Sequence, residues 1–242
     1  TAPRKFMSAA RAAARNKPVI LVKAGRSAQG SRAAASHTGA LAGSDEVFDA
    51  AISRAGMLRV NTLHQLFLAV ELLARFRDNR SERLLVLTNG GGAGVMAADA
   101  AAHMGVELAT LSPDMIARLD AVLPGNWSRA NPVDIIGDAP AQRYVDALRI
   151  LREDRDSAIL FIQAPTAIVP SETIAEALLP LASERPPRVL GCWLGHGAVA
   201  EARARFRAAG IPDYPTPEEA VRAFSFLRQY HRHQAELMET PP

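Results

Sequence analysis

Cysteine is almost absent. The single Cys192 in 242 residues excludes an internal disulfide and suits a reducing compartment. Aromatic residues are scarce at 5%, which points to Ala-rich helices packed closely on sheets. No apolar run reaches the ~18 residues that read as a membrane span, and no signal peptide opens the chain. A large charge of one sign is also missing, since the formal net charge is +3. The one local basic concentration is Arg228, His231, Arg232 and His233, which a solvated helix face explains more simply than a nucleic-acid patch. Of the other histidines, His64 and His103 lie in helical stretches and His196 follows a strand. No pair has the spacing of a zinc motif. There is no nucleophile elbow around a serine. These absences predict a soluble, cytoplasmic protein with no metal site, no nucleic-acid partner and no membrane partner.

What is present is an ordinary globular composition, 48% hydrophobic and 22% charged, long enough to bury a real core. The pattern alternates. "PRKFMSAARAAARNKP" reads as a helix and "VILVKAG" as a short strand covered on both faces. The small-residue stretch "RAAASHTGALAGSD", at 32–45, reads as a loop carrying His37. "SDEVFDAAISRAG" is a helix with Ser44 as N-cap and Gly56 closing it. "MLRV" is a strand, "TLHQLFLAVELLARF" an amphipathic helix, and "RDNRSER" at 77–83 a linker.

The alternation then restarts. "LLVLT" is a strand, "NGGGAG" a glycine turn, "VMAADAAAHMG" a helix, and "VELATL" a strand. Ser112 and Pro113 open another helix. "NPVDIIGDA" is a loop with a short strand. "AQRYVDALRILRED", "SAILFIQ", "SETIAEALLPLASE", "RVLGCWL" and "AVAEARARFRAAG" continue as helix, strand, helix, strand, helix. A final helix begins at Thr216, whose capping box with Glu219 encloses Pro217. The predicted class is α/β, with flavodoxin-like parallel sheets and helices on both faces. The first unit, with two strands and three helices, resembles the second half of such a domain.

Three stretches could carry chemistry. In Asn89, Gly90, Gly91, Gly92, Ala93 and Gly94 a strand runs into glycines and then a helix, so bare backbone N–H groups could cradle a phosphate or carboxylate. The same order also makes a tight turn with no ligand. No Lys-Ser/Thr follows, so it is not a Walker loop. Gly92, Gly94 and Ala97 fit a dinucleotide spacing, but the next strand ends in Leu111 and Ser112, without the acid that would hold a ribose. In "NPVDIIGDA", Asn131 makes a turn. Asp134 and Asp138 could position a metal or a base, and they could equally cap the next helix and close turns; Asn131 and Asp134 are the candidates for a substrate loop. His37, flanked by Ser36, Thr38 and Gly39, is either a hydrogen-bonded loop residue or an accessible imidazole.

"KPVILVKAGRSAQGSRAAASHTGALAGSDEVFDAAISRAGMLRV", followed in order by "LTNGGGAGVMAADA", "LSPDMIARLDAVLP" and "NPVDIIGDA", resembles the NDP-forming acyl-CoA synthetases, relatives of succinyl-CoA synthetase. The resemblance spans essentially the whole chain. It implies that residues 1–78 are the C-terminal half of a phosphohistidine domain and 81–214 a flavodoxin-like ligase-CoA domain. It makes 215–242 a helix and linker toward an ATP-grasp domain. His37 matches the family's phosphoryl-carrying histidine, which swings between two sites, and the turn at Gly90–Gly94 matches a phosphate-binding helix terminus.

The implied reaction converts an acyl-CoA, ADP and phosphate into a carboxylic acid, CoA and ATP. CoA, ADP/ATP and Mg2+ serve the complete enzyme, and none is held tightly by this chain. CoA-binding and ATP-grasp domains or subunits are the implied partners, and an oligomer is compatible with the pattern. The alternative is an acyl-CoA-sensing region of a protein lysine acetyltransferase fusion.

Overall fold

The computed structural model describes residues 2–38 and 44–239. The chain divides into two units, Thr1–Leu73 with Phe226–Pro242, and Ala74–Ser225. Two separate parallel sheets are found among the described residues.

In the first unit, β1 (Ile20–Val22) pairs in parallel with β2 (Leu58–Val60). The helices are α1 (Pro3–Asn16), α2 (Ala28–Thr38), α3 (Asp45–Arg54) and most of α4 (Leu63–Phe76). β1 is shorter than "VILVKAG" suggests, and its residues are half-buried rather than covered on both faces. Small side chains let α1 approach closely: Ala10 and Ala14 pack with Ile52, Ala55, Met57 and Leu237. Leu237 belongs to α10 (Pro217–Met238), which the Thr216 hydroxyl caps by accepting from the Glu219 amide at 3.2 Å. Ser44 caps α3 through the Val47 amide at 3.4 Å. Gly56 ends the α3 turn at φ +75°, and a Cβ there would meet Leu237 at 2.5 Å.

The second unit holds β3 (Arg83–Thr88), α5 (Gly91–His103), β4 (Glu107–Leu108), α6 (Pro113–Val122), β5 (Val133–Asp134), α7 (Ala141–Leu151) and β6 (Ser157–Gln163). It continues with α8 (Ser171–Ala182), β7 (Val189–Trp193), a short 3-10 turn, α9 (Ala200–Ala208) and β8 (Asp213–Tyr214). The strand order is β4-β3-β6-β7-β8, all parallel, with β5 also on β3. Renumbered within the unit this is the flavodoxin-like order 2-1-3-4-5. The continuous apolar runs of β3 and β6 are buried nearly throughout, as strands covered by helices must be. Phe161, Trp193 and Phe206 meet at ring separations of 5.0–6.1 Å at the centre of this core.

"VELATL" yields only Glu107 and Leu108 as strand. The reason lies on the edge of β3. Arg83 and Leu84 pair with β4, and Leu87 and Thr88 pair with β5. Between them the Asn131 side chain takes the place of a strand. Its Nδ2 donates to the Leu84 and Ala109 carbonyls at 2.9 and 2.8 Å, and its Oδ1 accepts from the Val86 amide at 2.9 Å.

Candidate functional site

In an open parallel sheet, ligands bind beyond the carboxyl ends of the strands where the strand order reverses. Here that point lies between β3 and β6, and the glycine run follows β3 directly. Asn89 is buried and ties the two strand ends together: its Nδ2 donates to the Ala164 carbonyl at 2.9 Å and its Oδ1 accepts from the Ala164 amide at 2.8 Å. Thr88 Oγ1 accepts from the Gly90 amide at 3.1 Å.

The helix starts earlier than the sequence indicates. Gly91 to Gly94 are its first turn, with Gly90 as N-cap. First-turn amides have no intrahelical partner, so glycines there forfeit little hydrogen bonding. No side chain caps this end. Gly91 and Gly92 are exposed, while Ala93 and Gly94 are buried. The glycines serve different ends. A Cβ on Gly94 would lie 3.1 Å from Pro132 Cβ and 3.3 Å from Thr88 Cγ2, so Gly94 answers to packing. Nothing lies within 4 Å of a Cβ on Gly92, which leaves open space in front of bare amides. A Cβ on Gly91 would come within 3.0 Å of Asp134 Oδ2.

The two acids of "NPVDIIGDA" do not share a site. Asp134 points one oxygen at the α5 turn and accepts from the Ile136 amide with the other at 3.0 Å. Ile136 is held at φ +70°, a region β-branched residues avoid. Asp138 instead receives Arg143 at 2.5 Å, at the start of α7. The amide of Asn131 is committed to the sheet edge.

His37 does not lie in the loop expected at 32–45. It and Thr38 close α2, and Gly39 lies outside the described residues. Alanine is the best helix former, and Ser27 Oγ accepts from the Gly30 amide at 3.0 Å to start the helix. Ser36 donates back to the Ala33 carbonyl at 2.7 Å.

An ion cluster brackets this segment, and no sequence motif announced it. Asp45 receives Arg59 at 2.6 Å, Lys23 at 3.1 Å and Arg26 at 3.2 Å. Its partners come from β2 and from the turn after β1, so residues 26 and 45 are held together. The Arg59 guanidinium, with Lys23 and Arg26, holds the Asp45 carboxyl down at about 2.

The remaining candidates have structural duties. His233 is buried, with Nδ1 at 2.7 Å from the Met57 carbonyl and Nε2 at 3.1 Å from Ser53 Oγ, so the basic concentration in α10 is not one continuous surface face. Cys192 is buried in β7, and burial raises its thiol pKa. Among the described residues, no group of three or more His, Cys, Asp or Glu side chains gathers as a metal set. No described helix is long and apolar enough to cross a membrane.

Comparisons with known proteins agree with this arrangement. A family model for the succinyl-CoA ligase like flavodoxin domain matches residues 1–73, and one for the Ligase-CoA domain matches residues 84–220. Acetate–CoA ligase (ADP-forming) I of Archaeoglobus fulgidus is 40% identical over 230 residues, covering 95% of this chain and 32% of that protein. Acetate–CoA ligase (ADP-forming) I subunit alpha of Pyrococcus furiosus is 35% identical over 243 residues, covering 98% and 52%. The solved structure of Ca. Korarchaeum cryptofilum dinucleotide forming acetyl-coenzyme A synthetase 1, in complex with phosphate and ADP, superposes with a TM-score of 0.89 at 34% identity, covering 98% and 52%. The chain spans about a third to a half of the length of these relatives.

Proposed function

The chain belongs to the NDP-forming acyl-CoA synthetase family, and on that premise we propose that it supplies the phosphoryl carrier and one phosphate-binding helix end of an ADP-forming acid–CoA ligase. The overall reaction is acyl-CoA + phosphate + ADP ⇌ carboxylic acid + CoA + ATP. A phosphate oxygen attacks the thioester carbonyl and the CoA thiolate leaves, giving an acyl phosphate. A neutral ring nitrogen of His37 attacks the phosphorus, and the bond to the carboxylate oxygen breaks. An ADP oxygen then attacks, the N–P bond breaks and ATP forms.

The first-turn amides of Gly91, Gly92 and Ala93 hold the phosphoryl oxygens, with Asn89 keeping the turn fixed. Such a terminus contributes about 0.3–1 kcal/mol when exposed and up to ~2 when partly buried. The Lys23–Arg26–Asp45–Arg59 cluster anchors both roots of the segment that carries His37. The observation that supports the reading most directly is the exposed, uncapped start of α5 at the point where the strand order reverses.

CoA-binding and ATP-grasp domains or subunits, a small carboxylic acid and a cytoplasmic setting complete the proposal. Mg2+ belongs with the nucleotide, and no step above runs through it. The relatives named above are CoA ligases or synthetases, and none favours the acetyltransferase reading.

The test uses the complete protein, with labelled ATP and magnesium. A protein-bound phosphate labile in acid and stable in base is expected, and His37→Ala should abolish it along with turnover. Full label on the variant means that another residue is the carrier.

A further inference from the structure

A second cleft lies at the opposite, amino end of the strands of the six-stranded sheet, where α7 and α8 end and β6 and β7 begin. It encloses about 630 Å³, within the ~300–1,000 Å³ of small-molecule sites. With β6 spanning Ser157–Gln163 at roughly 3.3 Å per residue, it is about 20 Å from the α5 turn. Five arginines line it: Arg149, Arg152, Arg155, Arg185 and Arg188.

The charge on this lining is poorly answered. Its only acids, Glu153 and Glu184, are already engaged, Glu153 by both ends of the Arg118 fork and Glu184 by Arg152 at 2.5 Å. Arg149 pairs with Asp146. Asp154, in the adjoining loop, accepts from the Ser157 hydroxyl at 2.7 Å and from the Asp156 amide at 3.0 Å. Among the described residues no carboxylate lies within ion-pair distance of Arg155, Arg185 or Arg188. The ends of α7 and α8 contribute roughly half a negative charge each, and Asp154 and Asp156 attract Arg188 while Arg152 and Arg155 repel it, so the charge least answered is that of the exposed Arg155 and Arg185.

Arg188 is fixed in place. It is 7% exposed and donates to the carbonyls of Arg152, at 2.7 Å, of Ser157, at 2.6 Å, and of Asp154. Burial, and then the neighbouring Arg152, lower its affinity for its proton. Its Nε and the Nη1 of Arg152 have no hydrogen-bond partner. Above this fixed floor, Arg155 and Arg185 stand exposed on the rim.

We propose that this cleft binds a small multivalent phosphate, of the pyrophosphate or phosphate-ester class, between Arg155 and Arg185 and over Arg188. Planar guanidinium forks match phosphate oxygens in pairs. No aromatic side chain lines the cleft, so recognition falls on the phosphates and a nucleobase adds no stacking.

The experiment titrates the chain with pyrophosphate by calorimetry at fixed ionic strength, with ADP, sulfate and polyglutamate as further arms. One pyrophosphate should bind per chain at this cleft, apart from any anion held at the α5 turn. In Arg155→Ser/Arg185→Ser, whose altered side chains are solvent-exposed, affinity should fall about tenfold or more with the thermal midpoint unchanged. ADP binding equal to pyrophosphate supports a phosphate-only reader. Tighter ADP binding that is also lost in the double variant supports the site and assigns the phosphates to a nucleotide. Pyrophosphate binding unaffected by the double substitution overturns the proposal, because an anion at α5 would ignore these arginines. Sulfate matching pyrophosphate in the native and substituted chains means an adventitious ion only. Polyglutamate binding without pyrophosphate binding overturns the proposal in favour of an acidic protein partner.

Discussion

Asn131 lies in a loop beside the candidate site, and its sequence context suits a substrate contact. Its three hydrogen bonds, at 2.8–2.9 Å, instead join β3 to the end of β4. Replacing it by Ala should therefore lower stability. Each bond contributes about 1 kcal/mol net, and the Val86 amide, inside a buried strand, would be left without a partner at a cost of roughly 1–3 kcal/mol. The expected loss is about 3 kcal/mol, within a range of ~2–5. For a domain of this size that lowers the thermal midpoint by roughly 6–12 °C. Asn131→Asp should be at least as damaging at neutral pH, since a carboxylate oxygen would face two carbonyls. The assay is denaturant and thermal unfolding of the chain, followed by two probes because two units are present. Midpoints within about 0.5 kcal/mol of the native chain for both variants would show that the side chain does not hold the sheet edge. Lost turnover in the complete enzyme with that unchanged stability would return Asn131 to the substrate.

Gly94→Ala should lower the midpoint by an overpacking cost of about 1–3 kcal/mol, because Pro132 and Thr88 stand at 3.1 and 3.3 Å from the new Cβ. Gly92→Ala, with nothing within 4 Å, should leave the midpoint unchanged or raise it slightly, and a fall equal to that of Gly94→Ala would contradict this packing argument. Gly191→Ala places a Cβ 2.8 Å from Phe206 Cδ2, inside the ring cluster, and thermal unfolding should register a similar loss. The Asp45 carboxyl is held at about 2 in the fold, against 3.8 as its ordinary value. A depressed carboxyl stabilises fully above the unfolded value and loses that contribution as pH falls through the folded one. The cluster should thus persist from neutral pH to below about 3.8 and open toward 2. A carboxyl resonance of Asp45 titrating near 4 by NMR would count against the cluster.

Much of this protein was legible from neighbouring residues. Ser44, Ser112 and the Thr216 turn cap the helices they precede because a capping hydroxyl reaches an amide three residues ahead. Strand β6 matches "SAILFIQ" because an unbroken apolar run between turns suits a strand covered on both sides. Alternating strands and helices implied a parallel α/β fold, and the run "SHTGALAGSD" with "TNGGGAGV" identified the family.

Other features depended on residues far apart in the chain. The α2 helix ran against the reading of a small-residue loop, because alanine suits a helix as well as it suits a loop. The two-residue strand β8 carries too short a pattern to be seen, and β4 is shorter than its apolar run because it ends where the Asn131 amide begins. Asn131 meets residues 84, 86 and 109, Asp45 meets 23, 26 and 59, and Arg188 meets 152, 154 and 157. Caps and periodicity act over three or four residues, so the sequence alone determines them. A side chain that bonds to residues distant in the chain acquires its role only when the fold brings its partners within hydrogen-bond reach, and only the tertiary structure decides whether it serves the fold or a ligand.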